Sequence, residues 1–242
     1  MMVKDKLTIE HGTTPNVLMI GNGFNRAFHF ASWDDLIESI RTKELSENEK
    51  EGMKKVPYPL QPVILTGDHL GTQMKKISAD LTELKAPAEE EKLLQKFAEL
   101  PVQAVLTANY TYELEKAVIS DFKCIPGRAC KFRKNAVKAG DYETRMLHTY
   151  FAGPEEDKTI WHIHGEAAKP DTMVLGHYYY GKLLAKMQQY IPKLQARFNG
   201  TFSSGKDYVC HSWIDYFMLG NVHIVGLGMD MSELDLWWLI NC

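Results

Sequence analysis

Four short apolar runs in this chain each stop at a glycine, an asparagine or a histidine. Residues 17–20 (VLMI) lead into Gly21-Asn22-Gly23, and residues 102–107 lead into Ala108-Asn109. Residues 159–163 lead into His164-Gly165, and residues 221–225 lead into Gly226-Leu227-Gly228. A run that is apolar without alternation is buried on both faces, as in a parallel sheet with helices on each side. In open α/β sheets, ligands bind just beyond the carboxyl ends of the strands. Polar and glycine tips on four strands therefore predict one ligand crevice.

The intervening stretches read mostly as helices, so the expected fold is α/β, a Rossmann-like parallel sheet with helices on both faces. Residues 32–42 carry Ser32 as a cap with Asp35 at the reciprocal position, and Trp33, Leu36, Ile37 and Ile40 form one stripe. Residues 88–100 and 111–118 read as helices, as does 178–198 with a break near Pro192. An aromatic amphipathic helix is expected over 206–218, and a last helix after Ser232 as its cap. Residues 172–176 suggest a further strand. Residues 43–55, rich in Lys and Glu, read as a solvated segment, and the three prolines in 56–62 as a loop. Residues 121–158 are irregular and basic, an insertion or small lobe within a single domain spanning 1–242.

At 242 residues the chain can bury a sizeable core. A net charge of −3 argues against a general nucleic-acid-binding surface. The N-terminus lacks the apolar core of a signal peptide, and no window approaches the roughly 18 uninterrupted apolar residues of a membrane span, so a cytoplasmic location is expected. Cys124, Cys130, Cys210 and Cys242 contain no C-x-x-C pair, so no zinc ribbon is expected and free thiols are.

The first tip carries two of the three glycines of a dinucleotide fingerprint, but Arg26 stands where the third belongs. A dehydrogenase would also need an acid about 20 residues on, at the end of a second strand. Asp34, Asp35 and Glu38 fall instead within the predicted helix. Asn109 is either a helix cap or a ligand for a hydroxyl or water. His164 is either a satisfied strand-end histidine or a proton acceptor. His162 and His164 share one strand face at metal-binding spacing, yet no acid or cysteine completes a set, so no metal is expected. The aromatic runs 177–181 and 237–238 read as core or interface.

Taken together, "GNGFN", "LTANY", "HIHG" and "GLGMDMSELD" resemble the sirtuin-like NAD-consuming domains of bacterial anti-phage defence, over about residues 16–240. Ala108 and Thr111 depart from that family's usual Thr and Asp. The resemblance implies a sirtuin-like fold without a zinc module and NAD+ as substrate, cleaved to nicotinamide and ADP-ribose or cyclic ADP-ribose. It implies that Asn109 holds a ribose hydroxyl or the attacking water and that His164 is the general base. It places Gly21, Asn22, Gly23, Asn25, Thr107, Gly226, Leu227, Gly228, Glu233 and Asp235 around the dinucleotide. Two other readings share the NAD+ site: a protein deacylase, against which the missing four-cysteine module counts, and a non-catalytic NAD- or ADP-ribose-sensing module. An NAD+-destroying enzyme needs control, so a homo-oligomer or an activating partner is expected. The sequence stops at Cys242, just after the hydrophobic helix, and the trigger is expected on another protein or a further C-terminal part. Trp237 and Trp238 are adjacent and cannot share a helix face, so one of them is expected to meet a partner.

Overall fold

The computed structural model describes residues 8–28, 32–85, 87–118, 147–152, 157–229 and 232–242. In chain order the strands are β1 (Thr8–Ile9), β2 (Asn16–Ile20), β3 (Ala104–Thr107), β4 (Leu147–Ala152), β5 (Asp157–His162), β6 (Tyr208–Val209) and β7 (Asn221–Val225). The α-helices are α1 (Asn22–Ala27), α2 (Trp33–Ile40), α3 (Glu47–Met53), α4 (Gln61–Thr66), α5 (Leu70–Glu83), α6 (Ala88–Ala98) and α7 (Glu113–Val118), followed by α8 (His177–Ser203), α9 (Trp213–Leu219) and α10 (Leu234–Ile240). The main sheet has the order β4-β5-β3-β2-β7. Four neighbours, β5, β3, β2 and β7, are parallel, and β4 joins the edge antiparallel to β5. β1 and β6 form a separate antiparallel pair.

The apolar runs explain the layering. Val17 and Met19 point into one core with Leu183 of α8, Trp213 of α9 and Leu236 of α10. Leu18 and Ile20 point into another with Phe24 of α1, Leu94 of α6 and Leu114 of α7. A third cluster joins Ile37 of α2, Leu65 of α4 and Met74 of α5 to Met173 and Leu175. No helix among the described residues is long and apolar enough to cross a membrane.

Several local expectations change. Part of the supposed insertion is β4, a strand of the main sheet, and 157–158 already begin β5; residues 119–146 and 153–156 lie outside the described residues. Residues 43–55 contain α3, which has no fully buried residue, rests Met53 against the third cluster and is closed by a reciprocal Ser46–Glu49 cap. Residues 172–176 form no strand. The chain turns back at Gly165 (φ 92), where a Cβ would sit 2.2 Å from Thr172 O. The returning segment lies across the β5 tip, with Val174 N donating to His164 O and Tyr110 Oη donating to Val174 O. Residues 206–212 hold β6 between irregular residues, and only 213–219 are helical, because Ser212 and Asp215 form the reciprocal cap there. Ser232 does not cap α10, whose N-cap residue is Glu233 and makes no side-chain cap hydrogen bond. β7 is not a buried strand but the sheet edge, with Ile224 41% and Val225 37% exposed.

α8 runs unbroken through Pro192. Its buried stripe of Leu183, Met187, Ile191 and Leu194 spans the proline and holds both sides to the sheet, while Pro192 and Gln188, whose carbonyl loses its donor, face water. Pro192→Ala is therefore expected to stabilise the fold by roughly 1–3 kcal/mol, read as a higher denaturant midpoint at unchanged slope.

Candidate active site

β2 is the strand at which the connections reverse direction: the chain proceeds to β3 and β5 on one side and returns to β7 on the other. The carboxyl ends of all four parallel strands border one cavity of about 490 Å³, which falls in the size range of small-molecule sites. Gly23 and Asn25 come from the β2 tip, Asn109 from β3, His164 from β5 and Gly226, Leu227 and Gly228 from β7. Asn22 and Glu233 also line it, whereas Gly21, Thr107 and Asp235 stand behind the wall.

The glycines allow two loops to touch. Gly226 has φ 66, and a Cβ there would lie 2.3 Å from Phe24 N. A Cβ on Gly23 would lie 2.8 Å from Gly226 O. Gly21 N donates to Val225 O at 3.0 Å and Gly23 N to Gly226 O at 2.7 Å. These amides are thus taken up in joining the first and last tips. Asn22 Oδ1 accepts from Trp33 N at 3.1 Å and ties down the start of α2. Arg26, at the position of the absent third glycine, lines the cavity. Trp33 and Tyr58, ring against ring at 5.8 Å, add an aromatic wall. Neither Arg26 nor this wall was assigned a role from sequence; the departure of Arg26 from the fingerprint was the available signal.

Asn109 is not a helix cap. Its side-chain nitrogen lies 2.9 Å from Asn25 Oδ1, 3.1 Å from Glu113 Oε1 and 3.2 Å from Gly21 O. Its backbone N–H donates to Thr107 Oγ1 at 3.1 Å, which is what Thr107 does at this tip. Asn25 donates in turn to Thr111 Oγ1 at 3.0 Å, so its amide supports the β3 tip. Burial pushes Glu113 up to about 7, although the hydrogen bond from Thr111 works against this.

His164 is 3% exposed, and its Nε2 lies 2.8 Å from Asp235 Oδ2. A carboxylate only accepts, so Nε2 carries the proton and Nδ1 holds the lone pair. Burial alone would lower the affinity of His164 for a second proton. The charge and hydrogen bond of Asp235, with Glu233 beyond, outweigh it and hold the imidazole pKa above its usual value.

His162 does not join His164. Its Nδ1 meets Asn109 O and its Nε2 meets Glu115 Oε1, each at 2.8 Å. Both partners accept, so both ring nitrogens donate and His162 is a buried imidazolium that braces the Asn109 loop. Its pKa is raised, because Glu115 overcomes the effect of burial. His164, Glu233 and Asp235 each place a possible ligand atom within 4.8 Å of the others. The 2.8 Å hydrogen bond itself accounts for the approach of His164 and Asp235.

No family model and no curated protein matches this chain. Its own geometry sets the class: a mixed α/β protein whose four-stranded parallel sheet, flanked by helices, carries a small-molecule-sized cleft at its carboxyl edge.

Proposed function

We propose that this protein is a sirtuin-like NAD+ glycohydrolase, releasing nicotinamide and ADP-ribose, in the anti-phage setting that the resemblance implies. The observation that carries the reading is the pairing, in one cavity, of a carboxylate-backed histidine on the β5 tip with a network-held asparagine on the β3 tip. The leaving group is a pyridinium, which departs neutral and needs no acid. The barrier lies in the cationic, oxocarbenium-like ribose. The C1′–N bond breaks with its electron pair going to the nicotinamide nitrogen, and a water oxygen bonds to C1′ while His164 Nδ1 takes the water's proton. Asn109 holds that water or a ribose hydroxyl in line. Asp235 keeps the ring turned and stabilises the imidazolium as it forms, as carboxylates behind catalytic histidines do. Arg26 is the cation available to the pyrophosphate.

Self-association belongs to the same proposal. Trp238 packs against the core, while Trp237 is 42% exposed in a stripe with Leu234 and Ile240.

The test is incubation of the purified protein with NAD+ and chromatographic separation of the products. Equal amounts of nicotinamide and ADP-ribose are expected, with cyclic ADP-ribose as the variant outcome within the same chemistry. NAD+ left intact by the protein, as purified and at concentrations that drive self-association, would overturn the proposal.

A further inference from the structure

We infer that Glu113 is a positioning residue that decides which end of the Asn109 amide meets the substrate. The inference rests on the glycohydrolase reading, and it assigns Asn109 a polarity that the reading leaves open. The three groups around Asn109 Nδ2 are a backbone carbonyl, a carboxylate and the amide oxygen of Asn25, whose own nitrogen is bonded to Thr111. All three are acceptors, so the nitrogen faces inward. Asn109 lines the cavity, whereas Glu113 does not, and the end left for the cavity is the carbonyl oxygen. Asn109 then receives a hydrogen bond. It suits a ribose O–H or the attacking water, and it repels a phosphate or carbonyl oxygen.

Glu113 is the one ionisable member of the trio. It lies four residues beyond Asn109, is 3% exposed, and has its second oxygen bonded to Thr111 Oγ1 at 2.6 Å. Burying a carboxyl group is costly even with two hydrogen bonds, so its placement is weak evidence for a stabilising role. Holding a neighbouring amide in one orientation explains the placement.

The test exchanges donor and acceptor. Asn109→Asp sets two carboxylates face to face and leaves Gly21 O without its donor. Its kcat for nicotinamide release is expected to fall roughly tenfold or more, the scale of a strong coupling between contacting residues. Adding Glu113→Gln restores a donor–acceptor pair with reversed direction, and kcat is expected to recover by a similar factor. Glu113→Leu removes the acceptor without leaving a buried charge, so it keeps the inference testable if the aspartate variant does not fold. It is expected to lose kcat while KM stays near the parent value. Melting curves verify folding in each case. Glu113→Leu at the parent kcat, or a double variant no faster than a folded Asn109→Asp, would overturn the positioning role and leave the glycohydrolase reading standing. A parent chain that releases no nicotinamide would overturn both.

Discussion

Replacing His164 with alanine is expected to lower nicotinamide release by about 10²–10⁴-fold, the scale of a lost general base, while the chain stays folded. His164 is the titratable group at the β5 tip that lines the cavity, and its Nδ1 is the face left by the bond to Asp235. The residues suited to the pyrophosphate, Arg26 and the Gly226–Gly228 loop, lie on other tips, so NAD+ should still protect the variant against thermal unfolding. The pH dependence follows from the same pair. A general base works when neutral, and Asp235 holds this imidazole above its ordinary value of about 6.5. Activity of the parent protein should therefore rise with pH through a limb centred above that value. Asp235→Asn removes the charge that raises it, so the limb should move to lower pH as the maximal rate falls. A rate profile unchanged in Asp235→Asn would separate Asp235 from catalysis.

Replacing Glu115 with alanine is expected to cost about 3–5 kcal/mol, because it removes the hydrogen-bonded counter-charge of the buried His162 imidazolium and leaves Glu166 as the other acid acting on it. His162 is 0% exposed and Glu115 is 1% exposed, so water cannot take over. The sign with pH is fixed by the raised histidine pKa. The folded state holds the proton more tightly than the unfolded chain, so this stabilisation is fully present below the unfolded value of about 6.5 and is lost as pH rises through the raised folded value. Denaturation of parent and variant across that range should show their stabilities converging toward high pH. Equal stability at pH 6 would show that His162 is held neutral and that the pair contributes nothing.

The strand tips were legible because unbroken apolar runs ending in glycine have few alternatives. Ser32 and Asp35 were legible as a cap because both partners lie within one turn. The partners of the site histidines were not. Asp235 reaches His164 from 71 residues away, and Glu115 reaches His162 from 47 residues away, distances that only the folded sheet closes. The four-residue spacing from Asn109 to Glu113 was visible, yet nothing in it showed that the pair turns inward. The close packing of the first loop against the last was not legible, because the two glycine tips lie some two hundred residues apart and only the folded sheet brings Gly23 and Gly226 together. Pro192 was read as a helix break because its local penalty is large, but an apolar stripe on both sides of it overrides that penalty.

The central claim is that the cleft holds NAD+ with its glycosidic bond between the β3 and β5 tips. A crystal structure of the His164→Ala protein soaked with NAD+ tests it most directly. The expected result is the nicotinamide ribose against the carbonyl oxygen of Asn109, with C1′ facing the space vacated by the imidazole and the pyrophosphate beside Arg26. Dinucleotide bound with its ribose away from Asn109, or a cleft that stays empty at saturating NAD+, would contradict the account.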